Sequence, residues 1–194
     1  MTTALREDFR EILRLTPPGA RVLDVACGHG RHSRWLARQG HWVTALDRDA
    51  AALATLADMA PGVQTMQADI EQGPWPLQGR LFDAVVVTHY LWRPLLPTLL
   101  ESVRPGGLLI YETFAHGNAS VGRPSRPDFL LQPGELLRVC ADWCIVAYED
   151  GFLDAPERFV QRIAAIRPSN PASPVVPAGT ADPLAPRHFL RPAG

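Results

Sequence analysis

The chain has 194 residues, 46% of them hydrophobic, enough for one core in a single domain with a short appendage. Twenty acidic residues against 19 basic ones give a net charge of −1 and a pI near 6.6, so neither nucleic acid nor an anionic membrane is expected as a partner. No apolar run approaches the roughly 20 residues that span a bilayer, and all 19 basic residues are arginine, which excludes a lysine Schiff base or a lysine-dependent phosphate loop.

Leu5, Phe9, Ile12 and Leu13 recur at helical spacing, and Thr16-Pro17-Pro18-Gly19 ends that helix. The opening MTTALREDFREIL carries acidic residues and lacks a signal-peptide core, so a cytoplasmic protein is expected. Val22, Leu23 and Val25 mark a buried strand, broken by Gly28 and Gly30. A helix follows from about His32 to Gln39 and ends at Gly40. A strand that turns through glycines into a helix offers N–H groups and a positive helix end to a ligand, and missing side chains let that ligand come close.

The second strand, Trp42–Leu46, closes at Asp47, and Asp49 caps a helix over Ala50–Ala60 that Pro61-Gly62 stops. A third strand, Val63–Ala68, ends at Asp69, and residues 71–80 are rich in turn formers. The fourth strand, Leu81–Val87, is almost continuously apolar, as a parallel strand buried on both faces would be. Arg93–Ser102 reads as a helix interrupted by Pro94 and Pro97, Arg104-Pro105-Gly106-Gly107 as a sharp turn, and LLIYE as the fifth strand. Residues 113–132 form a long aperiodic connection of the kind used as a lid or binding loop. A helix from Pro133, a strand at Trp143–Tyr148, a turn-like Glu149–Glu157 and a last strand at Phe159–Ile166 complete the domain, residues 1–167. The proline-rich 168–194 is expected to be a disordered tail.

Strands alternating with helices predict a parallel sheet with crossover helices on both faces. Right-handed crossovers put the strand C-terminal ends, and a ligand crevice, on one edge. Gly28, Asp47, Asp69, His89 and Glu112 all fall there.

The glycine spacing separates two cofactor classes. A dinucleotide loop reads G-x-G-x-x-G/A, whereas here Gly28-His29-Gly30-Arg31-His32-Ser33 ends in serine. Asp24-x-Ala26-Cys27-Gly28-x-Gly30 instead resembles the first motif of class I S-adenosylmethionine (SAM) methyltransferases, D/E-x-G-x-G-x-G, with alanine at the first glycine. Phe82-Asp83-Ala84 and Arg104-Pro105-Gly106-Gly107 also match that family's pattern, and the resemblance covers residues 18–167. It implies an α/β, Rossmann-like, doubly wound sheet of seven strands, mostly parallel with an antiparallel last strand. It also implies SAM as cofactor and S-adenosylhomocysteine as product. Asp24 would support the loop and hold the cofactor's amino group, with Ala26, Cys27, Gly28, Gly30, Arg31 and His32 around it. Asp47 with Arg48 would take the ribose, Asp69 with Ile70 the adenine, and Thr88 would complete the set. Within the class, CGHGRHSRWLA and PDFLLQPGELL are most similar to small tellurite-resistance-type methyltransferases, whose acceptors are small and soft.

Methyl transfer needs alignment and exclusion of water more than it needs acid–base groups. A thiol, selenium or tellurium oxyanion would require little else. A protonated oxygen or nitrogen acceptor would want a base, for which His89 is the candidate, with packing as the alternative role. Tyr90 and Trp92 could wall an acceptor pocket or belong to the core. Arg123 and Arg126 could grip an anionic acceptor or serve the surface. His29 and His32 lack a metal partner set, Cys140 and Cys144 read as buried structural thiols, and Trp42 and Trp143 as core. The expectation is a SAM-dependent methyltransferase with a small-molecule acceptor, a monomer or homodimer. A non-catalytic SAM-binding protein and an RNA or protein methyltransferase stand as rivals.

Overall fold

Val22, Leu23 and Val25 are buried on alternate faces of one strand, and this alternation sets up a core on both sides of the sheet. The computed structural model describes residues 12–169. The predicted first helix lies mostly outside the described residues, as does the tail from residue 170; Leu13–Leu15 form a single 3-10 turn.

Seven strands are present: β1 (Arg21–Val25), β2 (Trp42–Asp47), β3 (Val63–Gln67), β4 (Phe82–Thr88), β5 (Val103–Phe114), β6 (Cys144–Asp154) and β7 (Glu157–Ile166). Their order is β3-β2-β1-β4-β5-β7-β6. The first five are parallel, and β7 runs antiparallel to both its neighbours. The order reverses between β1 and β4, and a crevice opens at such a switch point. Helices α1 (Arg31–Arg38), α2 (Ala50–Ala54), α3 (Leu96–Ser102) and α4 (Glu135–Val139) link the strands. Leu23, Val85, Leu109, Tyr111 and Ile163 build one core, and Val22, Leu36, Val86, Ile110 and Ala164 the other. Among the described residues no helix is long and apolar enough to cross a membrane.

Several elements differ from the sequence-based expectation. Asp49 caps α2 by accepting the N–H groups of Ala51 (2.8 Å) and Ala52 (3.1 Å), but the α-helix stops at Ala54 and a 3-10 turn, Ala57–Met59, replaces its end. Arg104–Gly107 is not a turn before β5 but a bulge within it, because Asp83 alone opposes those residues. The Asp83 carboxylate takes the Arg21 N–H (2.6 Å) and the Arg104 guanidinium (2.7 Å), and the Gly106 N–H bonds the Arg167 carbonyl. The turn-like Glu149–Glu157 is mostly strand, reduced to a hairpin at Ala155-Pro156, because it pairs with β7 along its whole length. Trp42, first residue of β2, is 56% exposed rather than core; Trp143 is partly buried, Cys140 buried and Cys144 exposed.

Candidate functional site

The crevice divides into two clefts. The first is built on the loop after β1. Asp47 ends β2, and its Oδ2 accepts the Gly28 N–H at 2.7 Å while Oδ1 accepts the Asp49 N–H at 2.9 Å. One carboxylate thus ties the glycine loop to the next strand and retains lone pairs for a ligand. Asp24 is fully buried inside β1. Its Oδ2 accepts the Ser33 hydroxyl at 2.6 Å, and its Oδ1 has no partner. Burial pushes the Asp24 pKa up to about 6, against the pull of Ser33. Ser33, which fills the position a dinucleotide loop gives to glycine, is therefore the group that orients Asp24.

The loop runs through left-handed backbone at Ala26 (φ 52°), Gly28 (φ 53°) and Gly30 (φ 70°). A Cβ on Gly30 would overlap the Leu56 side chain, whereas one on Gly28 would meet nothing within 4 Å. Gly30 serves packing, and Gly28 leaves open space for a ligand. His32 is buried with Nδ1 3.3 Å from Thr88 Oγ1 and Nε2 3.3 Å from the Arg31 guanidinium, bracing α1 against the end of β4. Burial, with Asp24 and Asp47 nearby, raises the Cys27 pKa and keeps it a neutral thiol. From this loop a cleft of about 470 Å³ extends past Ala26, Asp47, Arg48, Asp69 and Ile70 to Glu71 and Tyr90. Asp69 accepts the N–H groups of Gln72 (3.1 Å) and Glu71 (3.0 Å), which hold its pKa down.

The second cleft, about 570 Å³, shares Glu71 and Tyr90 with the first and is walled by His89, Leu91, Thr113, Phe114, Pro124 and Phe129. His89 follows β4 with φ 56°, a backbone region that costs a non-glycine residue about 1–3 kcal/mol. Its N–H bonds the Glu112 carbonyl (2.8 Å), its ring stacks on Phe114 (5.3 Å between centroids), and its Nε2 lies 3.4 Å from Glu112 Oε1. Glu112 Oε2 accepts from Arg162 Nε at 2.6 Å, and Arg162 also reaches Glu149 at 2.9 Å. Burial alone would raise the Glu112 pKa; His89 and Arg162 outweigh it and bring it down. Burial, reinforced by Glu71, raises that of Tyr90.

Of the sequence-predicted residues, Ala26, Asp47, Arg48, Asp69 and Ile70 line the first cleft, His89 the second, and Tyr90 both. Asp24, Cys27, Gly28, Gly30, Arg31, His32 and Thr88 form or brace the loop beside it. Three others are not brought to the walls. Trp92 packs against the core, because it precedes a helical turn that carries it inward. Arg126 pairs with exposed Asp128 at 2.9 Å, and Arg123 is exposed beside Pro124. The sequence places Glu112 at the crevice edge but does not mark Glu71, Phe114, Phe129, Ser33 or the pairing of Glu112 with Arg162 as part of the site. A signal existed for the pair: one acid in LLIYETF and one arginine in FVQRIAAI are each costly to bury alone.

Residues 22–107 match the methyltransferase domain family. The malonyl-[acyl-carrier protein] O-methyltransferase of Pectobacterium atrosepticum is 33% identical over 126 residues, covering 59% of this chain and 47% of that protein. The ubiquinone biosynthesis O-methyltransferase of Xanthomonas axonopodis pv. citri is 36% identical over 108 residues, 52% of this chain and 45% of that one. The chain thus spans about half the length of the curated relatives it matches. Among solved structures, TehB from Haemophilus influenzae superposes with a TM-score of 0.70 at 23% identity, covering 86% of this chain and 63% of that one.

Proposed function

We propose that this chain, whose residues 22–107 form a methyltransferase domain on the class I SAM-dependent fold, transfers a methyl group from SAM to a small-molecule acceptor. The adjacency of the two clefts, which share Glu71 and Tyr90 as wall residues, carries the proposal, because a methyl donor and an acceptor have to meet. The first cleft suits the donor: the orphaned Asp24 Oδ1 wants a cationic donor such as an amino group, the space over Gly28 admits the amino-acid end, Asp47 keeps lone pairs for ribose hydroxyls, and Ile70 offers an apolar face for the base. Bound SAM supplies a methyl group already activated on a sulfonium.

The chain's own residues then align and deprotonate the acceptor. A thiol, selenium or tellurium oxyanion would need no base, and the Glu112-backed histidine in the second cleft favours an acceptor that has to lose a proton. With Nε2 directed at Glu112, Nδ1 is the nitrogen that accepts it. We read residues 1–167 as the catalytic unit and 168–194 as an appendage.

Calorimetric titration with S-adenosylhomocysteine and NAD, followed by transfer of labelled methyl groups, tests this. Binding of the first ligand alone is expected, and binding of NAD alone would overturn the assignment. His89→Ala is expected to lower kcat about 10²–10⁴-fold with S-adenosylhomocysteine affinity retained.

A further inference from the structure

The acceptor cleft carries charge of one sign. Among its described lining residues the only carboxylic or guanidinium side chain is that of Glu71, and the rest of the wall is His89, Thr113, Tyr90, Leu91, Phe114, Pro124 and Phe129. Of the neighbouring arginines, Arg123 is exposed beside Pro124 and does not line the cleft, and the others are engaged elsewhere. Arg93 is bidentate to Glu135 (2.7 and 2.9 Å) and bonds the carbonyls of Asp128 and Leu130. Arg162 is held by Glu112 and Glu149, and Arg126 by Asp128. Arg158 donates to the Pro156 carbonyl and lines neither cleft, and Arg48 belongs to the cofactor side.

From this lining we infer that the acceptor is an apolar, aromatic-type amine, its ammonium group recognised by Glu71 where the two clefts join. The inference rests on the methyltransferase proposal and narrows its substrate class. An oxyanion or carboxylate entering this cleft would leave water for a site with a like charge and no arginine among its lining residues to receive it. An ammonium would gain a charge-assisted bond to Glu71 and the neighbourhood of the Tyr90, Phe114 and Phe129 rings. One face of Phe114 is taken by His89 and one face of Phe129 by the Arg126 guanidinium, 5.2 Å from its centroid. Because Glu71 lines both clefts, a group held by it sits at the seam that an acceptor atom must reach. His89, also on that wall, is placed to take the proton that an ammonium must lose before it becomes nucleophilic.

The test compares two near-isosteric probes, phenethylamine and 2-phenylethanol, titrated at pH 7.5 into the full chain saturated with S-adenosylhomocysteine, with tellurite and benzoate as anionic probes. The wild type is expected to bind the amine at least tenfold more tightly than the alcohol and to bind both anions more weakly than the alcohol. Glu71→Gln is expected to bring the amine-to-alcohol ratio within about twofold, and Glu71→Asp to keep part of it. Equal affinity of the wild type for amine and alcohol, a ratio unchanged in Glu71→Gln, or tighter binding of either anion would overturn the inference. The preliminary S-adenosylhomocysteine titration of each variant reports its folding and separates the two levels: no binding by the wild type defeats the methyltransferase proposal, whereas binding without amine preference defeats only the amine.

Discussion

In the first cleft all of the lining but Tyr90 comes from the first 71 residues, and neighbouring strand ends hold its aspartates through backbone N–H bonds: Asp47 to Gly28 and Asp49, Asp69 to Glu71 and Gln72. In the second cleft, His89 directly follows β4, its partner Glu112 lies on β5, and the arginine behind them 50 residues further on, in β7. The outer wall comes from the 113–132 segment, tied down by the Ala115–Leu131 bridge and by Asn118, which bonds the Pro124 carbonyl and the Phe159 N–H. One cleft is organised by local turns whose bonds are individually modest. The other depends on a buried ion pair, whose partners are costly to separate. A cofactor shared by many reactions suits the first arrangement, and an acceptor particular to one reaction suits the second.

The comparison breaks most sharply at Arg162. Arg162→Leu leaves Glu112 buried without its counter-charge, and a loss of about 3–5 kcal/mol is expected, read from urea unfolding. Arg162→Lys should recover part of it, since it restores charge without the guanidinium geometry. In the cofactor half the largest effect belongs to Asp24. Its folded pKa of about 6 lies above the unfolded value of about 3.9, so the folded state binds more protons between these values and stability falls as pH rises through that window. By pH 7 the cost amounts to roughly 3 kcal/mol. Asp24→Asn should therefore be more stable than wild type at pH 7 and nearly equal to it at pH 4. The wild type's affinity for S-adenosylhomocysteine should decline below pH 6, where Asp24 protonates, and the variant's should stay low throughout.

Gly30→Ala drives a methyl group into Leu56 and puts a side chain at φ 70°. A destabilisation of about 2 kcal/mol is expected in thermal or urea melts, with the ion-pair region unaffected. The smallest effect is a gain. Ala26 bears a left-handed φ of 52° at the position where the motif it resembles has glycine, so Ala26→Gly should stabilise the chain by up to about 1 kcal/mol, less the entropy that glycine adds to the unfolded chain. A loss instead would mean that the Ala26 methyl contributes to the cleft wall.

Legibility followed the same division. Asp24, Gly28, Gly30, Asp47 and Asp69 could be found because each sits at a fixed step from a strand that announces itself by its apolar run. Glu71 lay two residues beyond Asp69 in a turn-rich segment without periodicity, and nothing there distinguished it from a solvated acid. Arg123, Arg126 and Trp92 attracted attention by residue type, but residue type does not tell which way a loop faces.

By itself the sequence determined the strand–helix alternation, the glycine turn and the acids at the strand ends, because periods of 2 and 3.6 residues and the backbone demands of a turn are local properties of the chain. Only the tertiary structure decided that Arg104–Gly107 would be absorbed into β5 as a bulge, that residues 149–154 would extend β6, that Trp42 would face solvent, and that Glu112 and Arg162 would neutralise each other behind His89. Each of these depends on which strand lies alongside which. That is settled by pairing between strands whose partner residues lie 21 to 24 apart in β4 and β5 and 46 to 58 apart in β5 and β7, and by the closing of the β6–β7 hairpin. A local pattern does not say which strand will be the partner.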